Sequence, residues 1–217
     1  VARAIADGRL PGLELGAVSA RDIERANKKL ASIGASAPVV SLEALAETCD
    51  VVVECAPASA FPDIAEAAIG KGRIFVPASI GALLNHLALV EKAKETGAKL
   101  VLPTGALIGL DAVRAAAEGV IESVTLETRK PPRGLGGAPY LVENDISVEG
   151  LTEAKKVFAG NASAAAKGFP ANVNVAAALS LAGIGPEQTS VEIWADPAVT
   201  RNIHTIRVEA DSARFTM

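Results

Sequence analysis

The chain has 217 residues, of which half are hydrophobic, 21% are charged and only 3% are aromatic. Disorder is excluded by that much apolar material, and the core must be built from Ala, Val, Leu and Ile, a composition suited to helices packed on a buried parallel sheet. A net charge of −4 offers no cationic field for nucleic acid. The two cysteines, with no CxxC, form neither a disulfide framework nor a metal site, and the apolar runs fall short of a transmembrane span. Without a signal-peptide pattern, a reduced cytoplasmic protein with no membrane or nucleic-acid partner is expected.

Helix and strand patterns alternate over the first hundred residues. Val1–Asp7 reads as the end of a helix, and Leu13–Val18 is an apolar run of strand length. Ser19–Ile33 is amphipathic and stops at Gly34, Val39 and Val40 suggest a brief strand, and Ser41 opens a helix with Glu43 and Glu47 in its first turns. Asp50–Cys55 is a buried strand, Phe61–Gly70 a helix, Gly72–Val76 a strand, His86–Thr96 a helix and Lys99–Leu102 a strand. Such alternation with short connections is the signature of βαβ units in a Rossmann-type doubly wound parallel sheet.

The pattern changes after Pro103. Gly105–Gly119 reads as a loop and a helix, and Ser123–Arg129 alternates with period two, as an antiparallel strand with one wet face does. Lys130–Tyr140 is Gly- and Pro-rich and reads as a loop. Thr152–Ala159 and Ala171–Ala182 have helical patterns, and Ser190–Ala195 and Asn202–Glu209 alternate as strands. Two domains are therefore expected: an α/β domain over residues 1–103, then an α+β domain with a mainly antiparallel sheet over residues 104–217.

In a doubly wound sheet, ligands bind beyond the carboxyl ends of the strands. The segments there include Ser19–Arg21, Cys55–Pro57, Pro77–Gly81 and Pro103–Ala106, all rich in small residues. Short βα loops use small residues for their own sake, but four together point to a dinucleotide site that would include Cys55, Ala56 and Ser79. Val1–Ile5 looks like the interior of the helix that follows the glycine-rich phosphate loop in such folds, so that loop and its strand are expected to precede residue 1. Leu13–Val18 then becomes the second strand, where the usual acidic residue is replaced by Ser19 and Arg21. Those two suit a ribose 2′-phosphate, so NADP is tolerated beside NAD.

Of the two histidines, His86 lies among leucines and reads as structural or superficial. His204 opens an alternating strand after a polar loop and is the candidate general acid/base, with a solvated strand histidine as the competing reading. Asn172 and Asn174 open an Ala-rich helix after Pro170, and capping does not easily explain both. Arg129 and Lys130 end a strand as adjacent cations that could hold a carboxylate or be solvated. Cys49 and Cys55 read as small buried hydrophobes.

Five segments, Ser79–Leu83, Pro103–Ala112, Thr128–Pro132, Phe169–Ala178 and Ala195–His204, taken together in order, resemble L-aspartate dehydrogenase. The resemblance implies a Rossmann domain followed by an α/β domain whose open-faced sheet mediates homodimer contacts. It further implies NAD(P)-dependent oxidative deamination of L-aspartate to oxaloacetate and ammonia through iminoaspartate. By motif, His204 would be catalytic, and Ala106 and Asn174 would contact the cofactor. Arg129, Lys130, Ser79 and Asn172 are candidates to hold the dicarboxylate. Relative to the family, the first strand with its glycine loop and a closing strand and helix are absent from the sequence. Semialdehyde and glyceraldehyde-phosphate dehydrogenases share the two-domain plan but need a cysteine nucleophile, and Thr104–Gly109 contains none. A dihydrodipicolinate reductase-like enzyme and an inert Rossmann-like scaffold are the remaining alternatives.

Overall fold

The structure, a computed structural model, describes residues 1–105, 107–170 and 173–217. The chain divides into two compact units, Val1–Pro77 with Ala88–Val101, and Ala78–Leu87 with Leu102–Met217. Ala78–Leu87 thus groups with the second unit, although a boundary at Pro103 leaves it in the first.

In the first unit, α1 (Ala2–Ala6) is followed by a stretch where Val18 makes only an isolated parallel bridge to Val39, rather than the full strand expected over Leu13–Val18. Helix α2 (Ile23–Ser32) begins later than its amphipathic pattern suggests, because the Asp22 carboxylate, not Ser19, caps it by accepting from the Arg25 N–H at 2.9 Å. Ser41 caps α3 (Leu42–Thr48) as expected. The strands β1 (Val51–Glu54), β2 (Ile74–Pro77) and β3 (Lys99–Leu100) form a parallel sheet in that order. Helix α4 (Phe61–Gly70) buries Phe61, Ile64, Ala65, Ala68 and Ile69, the spacing of one helical face, and Phe61 meets Phe75 of β2 at 5.9 Å between ring centroids.

Within the second unit, the short helix α5 (Ile80–Leu83) comes from the segment before α6 (Ala88–Thr96), which itself lies in the first unit and starts after His86 rather than at it. The unit continues with α7 (Leu110–Ala116), β4 (Ile121–Lys130), α8 (Pro139–Glu143), β5 (Lys155–Asn161), α9 (Ala162–Gly168), α10 (Asn174–Ala182), β6 (Thr189–Ala195), β7 (Ile203–Ala210) and β8 (Arg214–Thr216). Its sheet has the order β5-β6-β4-β7-β8, antiparallel except where β4 and β6 run parallel. The mainly antiparallel expectation holds, with that one parallel pair as its exception.

The helix expected over Thr152–Ala159 is an error of sequence reading. Lys155–Asn161 is the edge strand β5, paired with β6 and burying Val157 and Phe158. Strand pairing overrides the helical propensity of its Ala and Lys residues, and exposed Lys155 and Lys156 guard the edge. Asn161 then caps α9 by accepting from the Ala164 N–H. Small residues let the helices lie close on the sheet: Ala162, Ala165 and Ala166 of α9 and Ala176–Ala178 of α10 are all buried. Tyr140, Phe158 and Phe169, three of the chain's seven aromatics, form one cluster. Among the described residues, no helix is long and apolar enough to cross a membrane.

Candidate active site

Strand β4 runs through Lys130, one residue beyond its expected end, and the extension decides how the site is built. Successive side chains of a strand point to opposite faces. Val124, Leu126, Thr128 and Lys130 are buried, while Thr125, Glu127 and Arg129 are only half-buried on the other face. His204 lies directly opposite Thr128 in the antiparallel pairing of β4 with β7, and residues so paired share a face. The Thr128 Oγ1 and His204 Nδ1 are 3.0 Å apart.

Thr128, Lys130 and His204 therefore gather on one face, at the end of the sheet where β4 and its parallel neighbour β6 both finish. Exposure of only 4% for Thr128 and 5% for Lys130 marks this as an interior site, unlike a solvated strand end. The chain leaves β6 through Asp196, whose N–H donates to the Lys130 carbonyl at 2.8 Å and whose Oδ1 accepts from the Ala198 N–H. That turn returns the chain to His204 at the start of β7. Burial, and then the nearby charge of Lys130, push the His204 imidazole below its ordinary 6.5. Burial alone lowers the Lys130 ammonium.

Arg129, adjacent in sequence, is carried away from this group. Its guanidinium donates to Glu127 at 2.8 Å and to Asp196 at 3.2 Å and sits 4.8 Å from the Trp194 ring centre. Arg207 also reaches Glu127, and Lys156 lies over the same indole. The two adjacent cations thus occupy different faces, because the strand continues through Lys130 where the sequence reading ended it at Arg129.

Asn174 opens α10, and its carboxamide grips the turn that carries Ser79. The Gly81 N–H donates to Oδ1 at 2.9 Å, and Nδ2 donates to the Ala78 carbonyl at 3.0 Å. Gly81 is required for this approach, since a Cβ there would lie 2.8 Å from Val173 Cγ2. Ser79 and Asn174 are thereby brought together, whereas Ala106 and Asn172 lie outside the described residues. His86 is half-buried in the turn after α5.

In the first unit, Ser19 and Arg21 follow the Val18 bridge, and Cys55 and Ala56 follow β1. Arg21 is exposed and has no ion pair among the described residues, whereas Asp22 is engaged as a cap. The exposed Arg21 guanidinium, beside small residues just after the Val18 bridge, could hold a phosphate of a dinucleotide. The Glu54 carboxylate accepts from the Ala56 N–H at 2.7 Å and bends the chain there. Cys55 is exposed and Cys49 only partly covered, so neither is the buried hydrophobe that sequence suggests. The sequence reading missed Thr128 and Asp196. The period-two pattern held the signal for Thr128, because it places that residue on the face of Lys130.

Comparison with known proteins places the two halves of the chain in one context. Residues 111–217 match the family model described as aspartate dehydrogenase, C-terminal, and residues 1–103 match the homoserine dehydrogenase NAD-binding domain. The L-aspartate dehydrogenase of Bradyrhizobium diazoefficiens is 53% identical over 206 residues, covering 95% of this chain and 74% of the relative. L-aspartate dehydrogenase 3 of Bordetella bronchiseptica is 49% identical over 217 residues, covering 100% of this chain and 80% of the relative. The crystal structure of aspartate dehydrogenase from Thermotoga maritima shares the fold, with a TM-score of 0.70 at 24% identity, covering 94% of this chain and 88% of that one. With about half its residues identical to these relatives over nearly its whole length, the chain belongs to the L-aspartate dehydrogenase family of NAD(P)-dependent amino-acid dehydrogenases.

Proposed function

We propose that the protein oxidises L-aspartate to oxaloacetate and ammonia through iminoaspartate, with His204 as the acid/base. The observation that carries this reading is the half-buried His204, held on Thr128 beside the buried Lys130. The overall reaction consumes aspartate, water and NAD(P)+ and yields oxaloacetate, ammonium, NAD(P)H and a proton. The bound dinucleotide supplies the two-electron acceptor. His204 does the proton work. An imidazole lowered below 6.5 is neutral at pH 7, so it can take a proton from the water that adds to the imine carbon and return it to the departing nitrogen.

Lys130 supplies a buried positive charge for a substrate carboxylate, and Asn172 is the further candidate for that task. Arg129 is not retained, because Glu127 and Asp196 already neutralise it on the other face. Ser19, Arg21, Cys55 and Ala56 are assigned to the cofactor, as are Ser79, Ala106 and Asn174. Residues 1–103 on this reading serve cofactor binding, and residues 104–217 serve catalysis and homodimer formation through the open sheet face around Trp194. The test is steady-state kinetics of His204→Ala in the full-length protein, with L-aspartate and with oxaloacetate plus ammonia, on NAD and on NADP. Loss of kcat by about 100-fold or more is expected, and near-normal turnover would overturn the assignment.

A further inference from the structure

We propose that Thr128 is a positioning residue, which holds Nδ1 of His204 and thereby makes Nε2 the atom that exchanges protons with the substrate. The inference rests on the reading of His204 as the acid/base and adds a residue that sequence reasoning did not select.

The geometry is specific. Thr128 and His204 are register partners on adjacent strands, so the backbone ladder fixes the spacing of their Cα atoms before any side-chain bond forms. Thr128 is buried and, being β-branched, is restricted at χ1, so its hydroxyl oxygen has little freedom to leave the 3.0 Å contact. An imidazole with Nδ1 held this way has its ring plane set and Nε2 as its remaining polar atom.

The chemistry then selects one direction for the bond. An acid/base passes between neutral imidazole and imidazolium, and in the imidazolium both nitrogens carry protons. If Nδ1–H donates to Oγ1, that bond survives the whole cycle while Nε2 alone gains and loses its proton. If the hydroxyl donated to Nδ1 instead, it would have to reverse each time the ring became charged. The charged group brought to bear on the ring is Lys130, two residues along β4 from Thr128 on the same face. Lys130 disfavours the imidazolium, and the Thr128 oxygen accepts from the nitrogen that must carry a proton in either state.

Two substitutions separate this role from simple packing. Valine matches threonine in shape but lacks the hydroxyl, whereas serine keeps the hydroxyl and loses the methyl group. A packing role predicts that Thr128→Val is the milder change, and a hydrogen-bonding role predicts the reverse.

The decisive readout is the tautomer of His204, from ring nitrogen signals of histidine-labelled full-length protein without cofactor or substrate. With only two histidines in the 217 residues, the His204 signals are those lost in His204→Ala. The expected result is an Nδ1–H tautomer in the wild type and in Thr128→Ser, and a change to the Nε2–H form in Thr128→Val. In parallel, Thr128→Val should lower kcat about tenfold with KM for aspartate held within about threefold, and Thr128→Ser should restore most of the loss. An Nε2–H tautomer in the wild type would overturn the proposal, as would a Thr128→Val protein with unchanged tautomer. The His204→Ala kinetics separately decide the acid/base reading, since the tautomer is measured without turnover.

Discussion

The two faces of β4 end in the same kinds of residue and do opposite things with them. On one face, Thr128 and Lys130 are buried beside His204, where the ammonium is pushed down by burial. On the other, Glu127, Arg129, Arg207 and Asp196 form a linked set of charges around Trp194, and hydrogen bonds to Glu127 and then Asp196 hold the Arg129 guanidinium more firmly protonated. Arg129 is held by partners on its own face as a structural element. Lys130, in the interior beside His204, is the cation proposed for the substrate carboxylate. Residues 129 and 130 differ by one step in sequence and by the full thickness of the sheet in role.

Lys130→Met is the substitution with the largest effect on this contrast after loss of His204 itself. It should raise KM for aspartate by about 10- to 100-fold, the worth of one hydrogen-bonded charge, with kcat less affected. Arg129→Met should leave KM within about threefold. Its cost falls on stability instead, about 2 kcal/mol by denaturant unfolding, because Asp196 loses its ion-pair partner and Glu127 keeps only Arg207 while both stay largely covered. Interchanged results, with Arg129→Met raising KM and Lys130→Met only unfolding the protein, would break the division of faces.

Sequence alone made the alternating architecture legible wherever apolar runs were continuous or helical faces regular. Phe61–Gly70 is helical from end to end as read, because its buried positions recur at helical spacing. Lys155–Asn161 was not legible as a strand, since its Ala and Lys residues favour a helix until β6 is there to pair with it. His204 could be singled out as a candidate because few residue types titrate near neutrality. Its partner could not be weighed without knowing that Thr128 and His204 are in register across 76 residues. The carboxamide of Asn174 is a similar case, for its partners at Ala78 and Gly81 are more than 90 residues away.

That carboxamide allows a smaller test of what the second unit holds rigid. Asn174→Ala removes both hydrogen bonds to the turn of Ser79 and should cost about 1 kcal/mol of stability, because the site is exposed and water replaces part of the loss. If Ser79 and Asn174 serve the cofactor, KM for NAD or NADP should rise more than KM for aspartate. An unchanged cofactor KM would confine Asn174 to a local clamp.

The smallest expected effect is on pH dependence, and its sign follows from the causes of the His204 shift. Burial and then Lys130 both disfavour the imidazolium, so the folded protein binds fewer protons than the unfolded chain in the window just below 6.5. Stability therefore rises with pH through that window: the His204 contribution is present in full above the unfolded value and is lost as pH falls toward the lowered folded value. On the proposed acid/base role the neutral imidazole is the competent form, so kcat/KM for aspartate oxidation should climb on an acid limb with its midpoint below 6.5 and then level off. In Lys130→Met the burial remains but the repulsion is gone, so the midpoint should move upward while staying under the ordinary value. Arg129→Met, on the opposite face, should leave it in place. Titration of the His204 ring by nuclear magnetic resonance measures both shifts directly, and an equal response to the two substitutions would show that the sheet does not separate the two cations electrostatically.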